Sequence, residues 1–314
     1  MEWYQKAAAS QDNNSATTAQ FKIGYLYETG YGVPQNNVQA FEWYLRSAEQ
    51  GNVTAQFRVG VCYRGGDQSL DVEANCKSFL EWFEKAAEQG MVEADFMTGS
   101  LYKFDKHVDI DVDKAFSWLL KAAEKGFHKA MNMVGDMYLN GEGVLKDETR
   151  ASEWYLKAAE QGVATAQNSL GRLYKEGTGA VQDSKRAFEW FRKSAEQGDV
   201  IGRLQLGLLL CSNEGDVKQD LEEARKWFEF AGREGRQALG LLYLGMLYQM
   251  GTQGVVKDHE KARELYLLVL KVEPDHEKAK EYLKDVEQSI EQDRKAAARE
   301  DMGFVEAWIS DKLW

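Results

Sequence analysis

Apolar residues recur in two helical stripes that alternate along the chain. The first is built around a glycine, at positions 24, 60, 99, 135, 171, 207 and 245. Counted from that glycine, positions −5, −1, +2 and +3 are small, Leu-like, Leu-like and mostly Tyr. At about 100° per residue they share one side, which predicts an amphipathic helix. The second stripe centres on tryptophan, at 3, 43, 82, 118, 154, 190 and 227, with Leu265 in the next place. Asn36, Asn75, Asp111, Asp147, Asp183, Asp220 and Asp258 stand where its N-caps belong. Gly51, Gly90, Gly126, Gly162, Gly198 and Gly235 stand where a left-handed residue ends the helix. The tryptophans keep helical register with a pair of small residues, as Trp154 does with Ala158-Ala159, and are expected in the core as large rings seated on small pairs.

Three tryptophan steps are 36 residues and the others run from 37 to 40. A period of this kind predicts stacked helix pairs rather than one central core. The expectation is an all-α solenoid of about seven helix pairs, with an extra tryptophan stretch at its start. Two links depart from the pattern: Arg64 to Asn75 is longer, and Lys103 to Asp111 lacks glycine. After Leu265 the repeat decays, and Val272-Glu273-Pro274-Asp275 breaks it. Asp275 or a neighbour then caps a helix with Ala279, Tyr282, Leu283, Val286 and Ile290 on one face. Residues 1–272 are read as the repeat array, 273–300 as a C-terminal capping helix and 301–314 as an amphipathic aromatic tail. The tail aligns Phe304, Val305, Trp308, Ile309 and Leu313, and is expected to pack back onto the chain.

The combination Leu170-Gly171-x-x-Tyr174, Gly177-x-Gly179 and Ala187-x-x-Trp190-Phe191-x-x-Ser194-Ala195-Glu196-x-Gly198, with its counterparts in the other copies, resembles the Sel-one-like repeat family, relatives of the tetratricopeptide repeats. The resemblance covers roughly residues 1–272. It implies a right-handed α-α superhelix with a concave surface. It also implies a scaffold or adaptor rather than an enzyme, often in bacterial secretion, envelope or host-interaction pathways. Bacterial members also include immunity-type proteins that neutralise a toxin by binding it, which stands as an alternative. A small-ligand or glycan binder is another.

The formal net charge of −12 disfavours nucleic acid and anionic lipid as partners. No apolar run is long enough to span a bilayer. Cys62, Cys76 and Cys211 do not recur with the repeat, so reduced thiols and a reducing compartment are favoured. The abrupt start at Met1-Glu2-Trp3 leaves a removed leader, and with it a periplasmic or secreted location, as an alternative. A monomer is expected. Asp109-x-Asp111-x-Asp113 opens like a calcium loop, but Lys114 stands where glycine is needed and Leu120 where the bidentate Glu belongs. His107, His128, His259 and His276 are scattered without ligand spacing. No metal and no cofactor are expected.

If the glycine-centred stripe is buried, positions −3, +1 and +4 face the groove. This predicts a zoned binding surface for a protein or peptide. Phe21, Tyr25, Phe57 and Phe96 would form an aromatic end. Asn132, Asp136, Asn168, Arg172 and Lys175 would form a polar middle, and Leu204 and Leu208 would begin an apolar end. An Asn amide both donates to and accepts from a peptide group, and Arg172 with Lys175 one turn on suits a carboxylate. The same Phe and Leu rows also fit simple packing between successive helices.

Overall fold

The computed structural model describes residues 2–10, 12–65, 76–212, 215–235, 238–251 and 254–312; side chains at 13, 76, 77, 233–235 and 300–312 are not described. Among these residues the regular structure is helical, in sixteen segments. The chain forms two compact units, residues 1–161 and 162–314.

The first unit opens with α1 (Glu2–Ala8). Four helix pairs follow: α2 (Asn13–Thr29) with α3 (Asn37–Glu49), α4 (Val53–Gly65) with α5 (Cys76–Glu88), α6 (Val92–Phe104) with α7 (Val112–Glu124), and α8 (His128–Asn140) with α9 (Glu148–Glu160). The second unit holds α10 (Ala164–Glu176) with α11 (Ser184–Glu196), α12 (Val200–Cys211) with α13 (Leu221–Gly235), and α14 (Ala238–Met250) with α15 (His259–Val272), followed by α16 (Glu277–Lys312). We call the glycine-bearing member of each pair the A helix and its partner the B helix.

The predicted caps form. Asn36, Asp111, Asp147, Asp183 and Asp258 each accept the backbone N–H three residues on, and Asp220 does the same for Glu223. Asn75 lies outside the described residues. The B helices end at Gly51, Gly90, Gly126, Gly162 and Gly198, all with φ between 85° and 95°.

The repeating glycine receives a side chain of the B helix. A Cβ on Gly135 would stand 2.8 Å from the Tyr155 ring, and one on Gly171 would stand 2.7 Å from Phe191. Tyr44, Phe83, Leu119, Phe228 and Tyr266 meet the glycines of their own pairs in the same way. Each of these knobs is almost fully buried. Burying such a side chain stabilises by roughly 2–3 kcal/mol, which outweighs the helix propensity lost at one glycine, about 1 kcal/mol.

This corrects the expectation for the tryptophans. In α3, α5, α7, α9, α11 and α13 the fully buried residue is the one after the tryptophan. Trp43, Trp82, Trp118, Trp154 and Trp190 are half-buried, and Trp3 is exposed. The ring does use small residues as its seat: Trp82 packs on the Ala48–Ala55 cluster and Trp118 on Ala86, Ala87 and Ala94. Its outer face is covered by a cation three residues on, with Lys121 at 3.9 Å from the Trp118 centroid, Lys157 at 4.2 Å from Trp154 and Lys193 at 4.1 Å from Trp190. An indole under a lysine closes the outer edge of the core while the ammonium stays hydrated.

The irregular link after α6 is tied to both neighbouring repeats. Asp105 meets Arg64 at 3.7 Å, and Lys103 pairs with Glu142 of the following link. In that following link Gly143 is required by contact, since a Cβ would overlap the Val112 carbonyl oxygen.

Helix α16 covers the last pair with the predicted face: Ala279, Val286 and Ile290 are buried, Tyr282 and Leu283 half-buried. The N-cap bond comes from His276, whose Nδ1 accepts from the Ala279 N–H at 3.3 Å. One helix spans both segments read as end helix and tail. The predicted apolar side of the tail lies outside the described side chains.

Candidate functional site

On the first unit's A helices the predicted groove positions are largely engaged by the protein itself. Phe21, Phe57 and Phe96 are half-buried. Their rings lie 5.4 Å from Tyr44, 5.3 Å from Phe83 and 4.8 Å from Phe127, so these aromatics help close the seam between helices. Tyr25 is 43% exposed and presents its ring to solvent.

Asn132 and Asp136, one turn apart on α8, form a small network with the B-helix knob of their pair. The Tyr155 hydroxyl donates to Asp136 Oδ1 at 2.6 Å, and Asn132 Nδ2 donates to Asp136 Oδ2 at 3.4 Å. Other knobs find acceptors at A-helix position +4: Tyr44 donates to Glu28, and Tyr266 to Gln249 at 2.7 Å. Burial first, and then the Glu28 carboxylate, push the Tyr44 hydroxyl well above its ordinary range. The charged side chains at these positions are also neutralised within the unit: Glu28 meets Arg58 at 3.4 Å, and Arg64 and Lys103 have the acidic partners given above.

The second unit differs. Asn168, Arg172 and Lys175 occupy positions −3, +1 and +4 of α10. Asn168 is half-buried, and its Oδ1 is buried with no hydrogen-bond partner. Arg172 is exposed and Lys175 half-buried, and neither forms an ion pair among the described residues. Elsewhere in this unit Arg186, Arg192, Arg225 and Arg263 all meet carboxylates. At the corresponding positions of α12 and α14, Leu204 and Leu242 are buried and serve as packing, whereas Leu208 and Met246 are half-buried. Beside Leu242 and Met246 a cavity of about 570 Å³ opens between α14 and the start of α16, where Leu239, Tyr243 and Tyr282 meet His276, Glu277 and Lys278.

Among the described residues no group of three or more His, Cys, Asp or Glu is placed to hold a metal ion. Asp111, from the calcium-like sequence, accepts the Lys114 N–H as an N-cap, which holds its carboxyl below the usual range. No described helix is long and apolar enough to cross a membrane.

One recurring contact was not read from the sequence. The residue just after a B helix reaches back about 30 positions to position −4 of its A helix. Gln89 donates to Gln56 at 2.8 Å, Gln197 to Gln167 at 2.7 Å and Gln50 to Gln20 at 3.2 Å. Lys125 and Asp95 take the same places at 2.6 Å. The signal was present as Gln, Asp or Met at −4 of the first five copies, but only the fold shows what each one meets.

With this geometry in place, the comparisons with known proteins are consistent. The profile of the Sel1 repeat matches nine stretches: residues 1–12, 17–52, 53–91, 92–127, 128–163, 164–199, 201–235, 238–268 and 270–284. The chain belongs to the Sel1 repeat family, an all-α solenoid class built from helix pairs. Among solved structures it is similar to a protective antigen of uropathogenic Escherichia coli strains that displays an SLR fold, with 32% identity and a TM-score of 0.82 over 95% of this chain. It spans 64% of that protein's length. It is also similar to a Sel1 repeat protein from Oxalobacter formigenes, with 28% identity and a TM-score of 0.71, covering 91% of this chain and 85% of that one. No curated protein sequence matches the chain.

Proposed function

We propose that this protein is a non-enzymatic binding scaffold that holds an extended segment of a partner protein on its A-helix faces. The family supports the general role, since solenoids of this class serve as interaction scaffolds. The observation that carries the site is Asn168. Its side chain makes no hydrogen bond with any described residue, although its Oδ1 is buried. Such an amide is expensive to leave unpaired, on the order of 1–3 kcal/mol. A peptide backbone beside it can supply both a donor and an acceptor, and the amide can turn over to match either. Asn132 Oδ1 in the first unit is likewise buried without a partner.

The test is affinity capture from native extract with wild-type protein and the variant Asn132→Ala/Asn168→Ala/Arg172→Glu. Circular dichroism checks that the variant is folded, as expected for substitutions outside the core. A protein held by wild type and lost by the folded variant supports the assignment. A partner held equally by both places the binding surface elsewhere.

A further inference from the structure

We propose that the partner segment held by the second unit is acidic, with one carboxylate on Arg172 and Lys175 and an apolar side chain on Leu208 and Met246. The inference rests on the A-helix face being the binding surface, and it names what that face selects.

The first support is charge. Arg172 and Lys175 stand one turn apart on α10 without carboxylate partners among the described residues, in a chain of net charge −12. Acidic side chains are plentiful, and Arg186 on α11 and Arg192 nearby have found them. A guanidinium and an ammonium left open together suit a carboxylate, which the guanidinium binds through two parallel N–H···O bonds.

The second support is Asn168, one turn before Arg172 and equally unengaged. It asks for a peptide group next to the carboxylate, so a bare inorganic anion leaves part of the site unused.

The third support is the change of chemistry on the next helices. Position +1 is Arg172 on α10, Leu208 on α12 and Met246 on α14, and Leu208 packs on the unit's main apolar cluster. Packed helices lie about 8–10 Å apart, and an extended chain of the polyproline II kind advances about 3.1 Å per residue with three residues per turn, so that side chains three apart share one face. The apolar side chain is therefore expected about three residues from the carboxylate. Leu208 and Met246 are both half-buried, and each offers apolar surface to a Leu- or Met-sized group.

The test uses ¹³C-methyl-labelled full-length protein and four blocked peptides: Ser-Glu-Ser-Ser-Leu-Ser, its reverse Ser-Leu-Ser-Ser-Glu-Ser, and the same two with Gln for Glu. The expected result is that one Glu peptide shifts the Met246 and Leu208 methyl signals, while its Gln counterpart binds about tenfold more weakly. The variant Arg172→Glu/Lys175→Glu should lose the Glu peptide and keep the methyl spectrum of the folded protein. Equal binding of Glu and Gln peptides, or binding unaffected by the charge reversal, overturns the acidic preference and leaves the A-helix face as the binding surface. Comparable methyl shifts with tripolyphosphate alone would make this a general anion site and would also overturn the proposal. Silence of the methyls toward all four peptides overturns it too, and the capture experiment then decides the binding face independently.

Discussion

The Lys125 ammonium donates to the buried carboxylate of Asp95 at 2.6 Å, in the place where the preceding repeat joins Gln89 to Gln56. The Asp95 side chain is 1% exposed and that of Lys125 39%. Asp95 Oδ1 has no partner, nor has the buried hydroxyl of Thr98 one turn along. The third repeat thus carries a charge pair where the first, second and fifth pairs join two glutamines and the fourth sets Gln161 on the Met131 sulfur. Lys125→Met should cost about 3 kcal/mol, near the low end for breaking a buried pair because the lysine is partly hydrated. Asp95→Gln/Lys125→Gln should recover most of that loss by restoring the amide contact. Urea denaturation of the two variants decides it, and a Lys125→Met protein as stable as wild type would show the pair to be inconsequential.

Gly171→Ala weighs two opposed effects. Alanine gains about 1 kcal/mol of helix propensity. Its Cβ, however, would stand 2.7 Å from the Phe191 ring, which is fully buried. Forcing that ring aside costs about 1–3 kcal/mol. The expected net change is a destabilisation of about 1 kcal/mol, relieved by adding Phe191→Leu. A singly substituted protein that melts above wild type would sink this account of the glycine.

Glu142 gives a pH signature. Its hydrogen bond to Lys103 holds its carboxyl below the ordinary value of 4.5. The folded state therefore favours the carboxylate more than the unfolded chain does. The resulting stabilisation is fully present above the unfolded value and is lost as pH falls through the folded one. A carboxyl ¹³C titration should show Glu142 protonating below 4.5, and Lys103→Met should return it towards that value. An unchanged midpoint in that variant would mean the lysine is not the cause.

Burial pushes the Cys211 thiol up to about 11. At pH 8 about 0.1% is then thiolate, so native protein should alkylate slowly. The rate with iodoacetamide should climb about tenfold per pH unit between pH 8 and 10. A rate that levels off above about pH 9 would show an ordinary solvent-exposed thiol at the end of α12.

The helix pairs were readable because each is specified locally. A cap such as Asp147, a C-terminal glycine such as Gly162 and a 3.6-residue stripe between them need no distant partner to declare themselves. The buried face of α16 was readable for the same reason. The tryptophans were misplaced because periodicity shows which side of a helix a residue lies on, but not how deep. Trp154 and Tyr155 are sequence neighbours about 100° apart on the helix, both within the apolar half. Only the position of Gly135 on the facing helix puts Tyr155 innermost and leaves Trp154 at the edge under Lys157.

The candidate surface divides the same way. By itself the sequence determined the repeat, its helix pairs and the residues at positions −3, +1 and +4, because these follow from spacing along one chain. Tertiary structure decided which of those side chains are already used. Phe57 is committed to Phe83, and Asp136 to Tyr155 and Asn132, whereas Asn168, Arg172 and Lys175 have no such partner. Hydrogen bonds and ion pairs join residues that are close in space and often some 20 or 30 positions apart in sequence. Whether a polar group is satisfied is therefore a property of the folded neighbourhood, and only the fold could separate the open side chains from the engaged ones.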